Sequence, residues 1–309
     1  MNQVYAIAGV SKQGHAQHIK RESEWNSLIN NLRVELELIR KDHPGCGLEK
    51  IYRILQPKGI GRDRFVAVFQ SLGYGVQRRK NYHRTTIPTH IRFPNLITGM
   101  RLDGANQLWQ TDITYVLVNG KFYYLSFIID VYTKQVKGYS VSDHMRAEAN
   151  IKALMMAFAC SPVCLEGLIH HSDRGSQYVD KEYQQLLEQR GIYISMGLQA
   201  QDNAYAERIN GTIKNEYLIY RTIMDFRSLK KYVKQAVNHY NDQRPHNNLK
   251  GRVSPNQFAK ELLDLNDQDR PTVIVYAEGN YKITKALSLC DFRPRIGPLA
   301  HDCPIVINK

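Results

Sequence analysis

Three strand-like segments at short spacing, followed by alternating helical and strand-like segments, constrain the fold of this 309-residue chain most strongly. The three segments are LWQTDITYVLV (108–118), KFYYLSFIIDV (121–131) and QVKGYSVSDH (135–144). The dipeptide Asn119-Gly120 between the first two is typical of a two-residue hairpin turn. We therefore expect the sheet to open with three antiparallel strands.

Helical and strand-like patterns then alternate to residue 218. The predicted order is helix 146–160, strand 165–173, helix 179–191, strand 192–197 and helix 202–218, the last with Asp202 as its N-cap. This order predicts an α/β domain over residues 108–260, in which helices cover both faces of a mixed five-stranded sheet. Residues 261–309 contain two short strand-like runs, TVIVYAEG and YKITKALSLCDF, to which we assign no function.

Residues 1–75 have helical periodicity instead. A helix over Trp25–Lys41 carries an apolar stripe. Two short helices follow, 48–55 and 62–74, separated by the turn QPKGIG, with Phe65, Val68, Phe69 and Leu72 directed inward in the second. This pattern fits a DNA-binding helix-turn-helix with Arg62 and Arg64 at the start of the recognition helix, and it fits a plain helical hairpin equally well.

Positive charge is concentrated in the first third of the chain. The formal net charge is +13, and residues 1–107 carry 17 Lys and Arg against 8 Asp and Glu. Residues 76–107 are predicted to form an extended basic linker, whose Arg78, Arg79, Lys80 and Arg84 either follow a DNA backbone or belong to a solvated tether. The charge favours a polyanionic partner, most simply double-stranded DNA.

Other classes of protein are disfavoured by composition. No apolar run approaches the roughly 18 residues that a membrane span needs, and the N-terminal stretch lacks the pattern of a signal peptide. The five cysteines are scattered and odd in number, which argues against a disulfide framework. We expect a cytoplasmic protein without a membrane partner.

Three acidic residues occupy informative places in the predicted sheet. Asp112 lies within the first strand, Asp173 ends the fourth, and Glu207 lies early in the last helix. Strands one and four are expected to be neighbours, so the three carboxylates should meet at one edge. Two unit charges 4 Å apart repel by about 4 kcal/mol at an effective dielectric near 20, so such a cluster needs raised pKa values or a cation such as Mg²⁺ or Mn²⁺. Each acid taken alone fits a helix cap, a salt-bridge partner or a plain surface residue better than it fits a metal ligand.

Four blocks resemble the transposases of the IS3 insertion-sequence family. WQTDITY, HHSDRGSQY and DNAYAERINGTIKNEY are similar to the three signature blocks of the family's integrase catalytic core, and HYNDQRPHNNLKGRVSPNQF is similar to its closing block. Residues 30–75 resemble the helix-turn-helix segment that precedes the core. The likeness spans roughly residues 5–260, with the blocks in the family's order.

The resemblance implies an RNase H-like fold and a DDE triad of Asp112, Asp173 and Glu207 that binds two Mg²⁺ or Mn²⁺ ions. It also implies cleavage and strand transfer at the terminal repeats of an insertion sequence. Four residues are expected to contact DNA: Arg208, Lys214, Arg244 and His246. Arg244 and His246 belong to the closing block, which either meets DNA or holds a helix on the core. Asn203 is expected to support the triad, and His171 and Ser172, which precede Asp173, are expected either to support it as well or simply to pack the end of the strand.

The chain departs from the family in two respects. The 33 residues between Asp173 and Glu207 are two fewer than is usual, and Glu216 is the fallback for the third acid. There is no heptad zipper, so the chain resembles a second-reading-frame product that either acts with an upstream-frame DNA-binding partner or works alone. Because two element ends must be joined, we expect a homo-oligomer on DNA. The competing functions are a non-catalytic DNA-binding regulator and a related integrase or nuclease.

Overall fold

The computed structural model describes residues 11–76, 93–161, 164–197 and 200–275. The chain divides into two compact units between Arg79 and Lys80. The first unit contains helices α1 (Lys12–Asp42), α2 (Leu48–Leu55) and α3 (Arg62–Ser71). Helix α1 begins well before Trp25, because the Ser11 hydroxyl accepts a hydrogen bond from the Gly14 N–H and caps it there. None of the described helices, the 31-residue α1 included, is both long and apolar enough to cross a membrane.

A small apolar core holds the three helices together. Leu32 and Leu36 of α1 are buried against Phe65 and Phe69 of α3. Leu72, which was predicted to face inward, is 51% exposed, because α3 ends at Ser71 and the chain turns away there. The helix, turn, helix order is therefore present in the structure, whereas its binding to DNA stays a prediction.

The second unit alternates strands and helices in the predicted order. In chain order it contains β1 (Arg101–Leu102), β2 (Leu108–Val118), β3 (Lys121–Asp130), β4 (Val136–Ser142), α4 (Ala147–Ala159), β5 (Ile169–Ser172), α5 (Lys181–Glu188), β6 (Tyr193–Met196), α6 (Ala204–Thr212), α7 (Phe226–Asp242), α8 (Pro255–Glu261) and β7 (Val273–Ile274). Five strands form one sheet in the order β4-β3-β2-β5-β6. Strands β2, β3 and β4 are antiparallel, whereas β5 is parallel to β2 and β6 to β5. The predicted mixed five-stranded sheet is confirmed.

The β2–β3 hairpin forms where the sequence predicted it. Asn119 and Gly120 both have positive φ angles, 47° and 80°, as a type I′ turn requires. The turn sets the pairing of the two strands, which runs from Val118 opposite Lys121 to Trp109 opposite Asp130. This register fixes which β2 side chains face each layer of helices.

Alternation along the central strands fills two apolar layers. Leu125, Phe127 and Ile129 of β3 are buried on one face with residues of α6 and α7. Ile128 lies on the other face with Trp109 and with residues of α4 and α5. Burying a large apolar side chain of this kind contributes about 1.5–3 kcal/mol, so both layers anchor the sheet that carries the candidate site.

A third apolar cluster closes one end of the sheet. Ile97 and Leu102 are buried with Phe258 of α8, and β1 pairs with β7. The described part of the expected linker, from residue 93 onward, therefore packs within the second unit. The expected strand-like run YKITKALSLCDF lies outside the described residues.

Candidate active site

Two neighbouring strands and one helix position the three predicted acids. Asp112 lies in the middle of β2, and Asp173 directly follows β5, the parallel neighbour of β2. Glu207 lies in the first turn of α6. Asp112 and Asp173 are half-buried, whereas the Glu207 side chain is exposed at the sheet edge.

The three carboxylates influence one another electrostatically. Burial, followed by the negative charges of Asp173 and Glu207, raises the pKa of Asp112 to about 8, although hydrogen bonds from the Ile113 backbone and the Asn210 side chain act in the opposite direction. Partial loss of hydration also raises the pKa of the Glu207 carboxylate, although the residue as a whole is exposed, and the charge of Asp173 adds to the effect. Each negative charge thus opposes the ionisation of another, which is the behaviour of acids placed in one neighbourhood.

The acids are not gathered as tightly as a bound ion requires. Among the residues that the structure describes, no group of three His, Cys, Asp or Glu side chains is arranged to hold a metal ion. The structure therefore places Asp112, Asp173 and Glu207 in one region, but their carboxylates do not converge on a single ion position. Their role as metal ligands stays a prediction.

Two of the acids are oriented by short hydrogen bonds. The Asn210 Nδ2 donates to Asp112 Oδ2 at 2.8 Å, and the Gly175 N–H donates to Asp173 Oδ1 at 3.0 Å. Asn210 was not among the site residues expected from the sequence. Its signal was its spacing, because a residue three positions after Glu207 lies on the same face of a helix.

The three expected supporting residues are all buried beside the acids. His171 Nδ1 lies 2.8 Å from the Ser195 hydroxyl, and burial lowers the pKa of His171 to about 4, so its ring is neutral at physiological pH. The Ser172 hydroxyl donates to the Asp173 carbonyl at 3.0 Å. Asn203 Nδ2 donates to the Thr111 carbonyl at 2.8 Å and so joins α6 to the strand of Asp112.

The start of α6 differs from the sequence prediction. Asp202 was expected to be the N-cap, but the helix begins at Ala204 with Asn203 in the cap position, and Asp202 lies in a preceding 3₁₀ turn. The acceptor for the first helical N–H groups is Gln110 of β2, a residue that the sequence analysis missed. The predicted helix also changes after Thr212 into a π-helical segment, Ile213–Tyr217.

The expected DNA-contacting residues fall into several environments. Arg208 is exposed beside Glu207, and Lys214 Nζ lies 3.2 Å from the Thr114 hydroxyl and 5.0 Å from the centre of the Tyr115 ring. In the first unit, Arg62 pairs with Asp63, and the Arg64 guanidinium stacks 4.1 Å from the Trp25 ring centre. Arg78, Arg79, Lys80 and Arg84 lie outside the described residues.

Arg244 and His246 of the closing block are buried, and this placement opposes the DNA contact expected of them. The Arg244 guanidinium donates to both Glu216 carboxylate oxygens, at 2.8 and 2.7 Å. Both Asn241 amide atoms bond the backbone of Val136, at 2.9 and 3.0 Å. Of the two roles left open for this block, the geometry favours packing on the core. Glu216, the fallback for the third acid, is held in the ion pair with Arg244.

Family models agree with this architecture. A model described as an integrase core domain matches residues 103–200, and a second with the same description matches residues 191–255. Together they span the five-stranded sheet, the three acids and all but the last three residues of the closing block.

Known relatives are proteins of bacterial insertion sequences. The 31 kDa protein of insertion element IS600 from Shigella sonnei is 32% identical over 265 residues, covering 82% of this chain and 97% of that protein. The transposase of IS629 from Shigella sonnei is 34% identical over 194 residues, which are 59% of this chain and 64% of that protein. The transposase of IS904 from Lactococcus lactis is 29% identical, covering 74% of this chain and 93% of that protein.

Among solved structures, the chain is similar to the HTLV-2 integrase catalytic core domain in complex with magnesium. The match has a TM-score of 0.41 and 20% identity, and covers 53% of this chain and 99% of that one. A likeness at this level carries no conclusion about function.

Proposed function

Because this chain belongs to the IS3 family of insertion-sequence transposases with an integrase core, we propose that it cuts and joins DNA through a divalent-metal centre of Asp112, Asp173 and Glu207. A transposase of this kind is a polynucleotidyl transferase. The observation that carries the proposal is the placement of three carboxylates, from two adjacent parallel strands and the first turn of one helix, in one region of the second unit.

The donor set suits Mg²⁺ or Mn²⁺. All three side chains offer hard oxygen ligands, which these ions prefer. With a pKa of about 8, Asp112 is mostly protonated at neutral pH when no cation is near, and a cation would replace that proton. Two bound ions would supply activation of the attacking oxygen and charge stabilisation of the leaving 3′ oxygen in an in-line phosphoryl transfer.

The protein's own residues would position the DNA and the carboxylates. Asn210 holds one oxygen of Asp112, and the Gly175 N–H holds one oxygen of Asp173. Lys214 and Arg208 lie on the helical segment that carries Glu207, and their positive charges suit DNA phosphates flanking the cut. Holding the reacting groups in place is the main contribution that a protein makes to this chemistry.

The test is a strand-transfer assay on purified variants. Asp112→Asn, Asp173→Asn and Glu207→Gln should each abolish strand transfer while preserving folding and binding of terminal-repeat DNA. Cleavage that persists in a folded variant would remove that residue from the centre. Metal-dependent nicking of a supercoiled plasmid distinguishes an enzyme from a DNA-binding regulator, and strand transfer distinguishes a transposase from a nuclease.

We further propose double-stranded DNA as the partner and a homo-oligomer as the active assembly, because two element ends must be joined. Mass photometry of the complex with paired ends should show at least two copies of the chain, and a single copy would contradict this. Adding the upstream-frame product to the same assay tests whether that partner is required. The cytoplasmic location stays a prediction, and we propose that the protein associates there with the bacterial nucleoid, which holds its DNA substrate.

A further inference from the structure

A buried glutamine connects the strand of Asp112 to the helix of Glu207. The Gln110 side chain is fully buried on β2. Its Nε2 donates to the Asp202 carbonyl at 3.1 Å, and its Oε1 accepts from the N–H groups of Tyr205 and Ala206 at 3.1 and 3.4 Å. One amide thus contacts the chain on both sides of the point where α6 begins.

Helix α6 begins without a side-chain cap of its own. Asn203 occupies the N-cap position but makes no capping hydrogen bond. Its Nδ2 donates to the Thr111 carbonyl, and its Oδ1, the atom that would accept a capping bond, is buried without a partner among the described residues. The first N–H groups of a helix have no partner inside that helix, so a buried helix start needs an acceptor from elsewhere. Gln110 supplies this acceptor from the neighbouring strand.

The position of Gln110 couples the two acids. Gln110 and Asp112 are two residues apart on a strand, so their side chains lie on the same face. The Ala206 N–H donates a hydrogen bond to Gln110, and Ala206 directly precedes Glu207. The Glu207 side chain is exposed, so its location depends on the helix backbone more than on packing around the carboxylate itself. A shift of the helix start therefore moves Glu207 relative to Asp112.

We propose that Gln110 is a positioning residue for catalysis: its amide fixes the start of α6 and thereby the separation of the Asp112 and Glu207 carboxylates. The inference rests on the proposed function, since it assigns Gln110 a role in the metal centre of that activity. Gln110 does not touch the reacting atoms in this role. It acts through the helix that carries Glu207.

The test replaces Gln110 with methionine, which has similar length and cannot make the three hydrogen bonds. The matched control is Gln135→Met. Gln135 lies between β3 and β4 in the same unit, and its amide also makes a tertiary hydrogen bond, donating to Asn256 Oδ1 at 2.7 Å. For each variant we would measure the melting temperature, the affinity for terminal-repeat DNA, and single-turnover strand transfer with Mg²⁺ and with Mn²⁺.

Gln110→Met should lower the Mg²⁺-supported rate about 10–100-fold, as the loss of residues that orient metal ligands typically does. The loss should be smaller with Mn²⁺, because Mg²⁺ demands near-ideal octahedral geometry. DNA affinity should stay within about twofold of the unsubstituted protein's. Gln135→Met should lower only the melting temperature and should leave the ratio of the Mg²⁺-supported to the Mn²⁺-supported rate unchanged.

Gln110→Met with the same rates and the same metal ratio as Gln135→Met would overturn the inference. If Gln110→Met does not fold, Gln110→Asn replaces it, since its amide keeps the same hydrogen-bonding groups but is one methylene shorter and so holds the start of α6 less closely. That variant should show a smaller rate loss with the same metal dependence, and rates equal to those of Gln135→Met would again overturn the inference. Glu207→Gln in the same assay separates the two proposals: full activity there defeats the metal centre itself, whereas an inactive Glu207→Gln beside a normal Gln110→Met defeats only the role of Gln110.

Discussion

At the scale of single residues, Asn210 links the acid on β2 to helix α6. Its amide nitrogen donates to Asp112, while its Oδ1 is buried and finds no hydrogen-bond partner among the described residues. A buried acceptor without a partner costs about 1–3 kcal/mol. The Asn210 side chain therefore orients Asp112 through its amide nitrogen, while its unpaired oxygen lowers the stability of the fold.

Replacing Asn210 by leucine should separate stability from activity. Asn210→Leu removes the buried oxygen and also the hydrogen bond to Asp112, so the melting temperature should stay level or rise while strand transfer falls about 10–100-fold. Thermal unfolding and single-turnover strand transfer, measured on the same preparation, check this. A large loss of stability with normal activity would show that Asn210 serves packing alone.

The Arg244–Glu216 pair leads to a second prediction at this scale. The two side chains are 9% and 22% exposed, and breaking a buried pair by removing one partner typically costs about 3–5 kcal/mol. Arg244→Met should therefore lower the free energy of unfolding by an amount toward the lower end of that range, because Glu216 keeps some contact with water. The matched control is Lys121→Met, which breaks the exposed Lys121–Asp143 pair and should cost about 0–1 kcal/mol.

Chemical denaturation measures both variants, and a DNA-binding assay on folded Arg244→Met distinguishes the two roles of the closing block. Unchanged affinity for DNA is expected if Arg244 holds α7 and the π-helical segment together. A loss of affinity without a loss of stability would return Arg244 to the set of DNA contacts.

At the scale of secondary-structure elements, Gly138 determines how closely α4 can approach the sheet. A Cβ atom added at Gly138 would lie 2.0 Å from the Ala153 carbonyl oxygen and 2.9 Å from the Ala157 nitrogen. Both are backbone atoms of α4, so a side chain at 138 cannot be accommodated by a change of rotamer. The glycine is required by the packing of α4 on β4.

Gly138→Ala should consequently destabilise the second unit by about 1–3 kcal/mol or more, because the whole helix must shift. The control is Gly104→Ala, where the added Cβ would meet only the end of the Gln107 side chain at ordinary contact distances. The difference in melting temperature between the two variants is the measurement. Equal melting temperatures would show that α4 moves away from the sheet at little cost.

The elements also differ in how well the sequence predicted their limits. The limits of β2, Leu108 and Val118, were predicted correctly because period-two alternation and the Asn119-Gly120 turn are local signals. The beginning of α6 was predicted incorrectly, because its capping group comes from Gln110, 95 residues before Tyr205. The residues around position 204 contain no local signal from which the hydrogen bond to Gln110 could be predicted.

At the scale of the whole molecule, positive charge governs the expected encounter with DNA. The net charge of +13 predicts that the affinity for DNA falls steeply with salt, with a log–log slope of about −0.9 for each phosphate neutralised. Arg208→Gln should reduce the magnitude of this slope by about 1, if the exposed guanidinium beside Glu207 contacts one phosphate. Lys181→Gln, which removes an exposed charge from α5, serves as the control.

Fluorescence anisotropy with terminal-repeat DNA at several salt concentrations gives these slopes. An affinity that does not change with salt would contradict an electrostatic contribution to binding. Equal slopes for Arg208→Gln and the unsubstituted protein would place the DNA away from the start of α6.

Local sequence patterns were enough to predict the class of fold, the order of the strands along the chain and the places of three candidate acids in that fold, because alternation, turn dipeptides and short motifs each lie within a few neighbouring residues. Three contacts appear only in the folded chain: the pairing of Arg244 with Glu216, the capping of α6 by Gln110, and the hydrogen bond from Asn210 to Asp112. Separation along the chain explains the difference. Each of these hydrogen bonds joins residues far apart in sequence, and it forms only after burial has removed water as the competing partner.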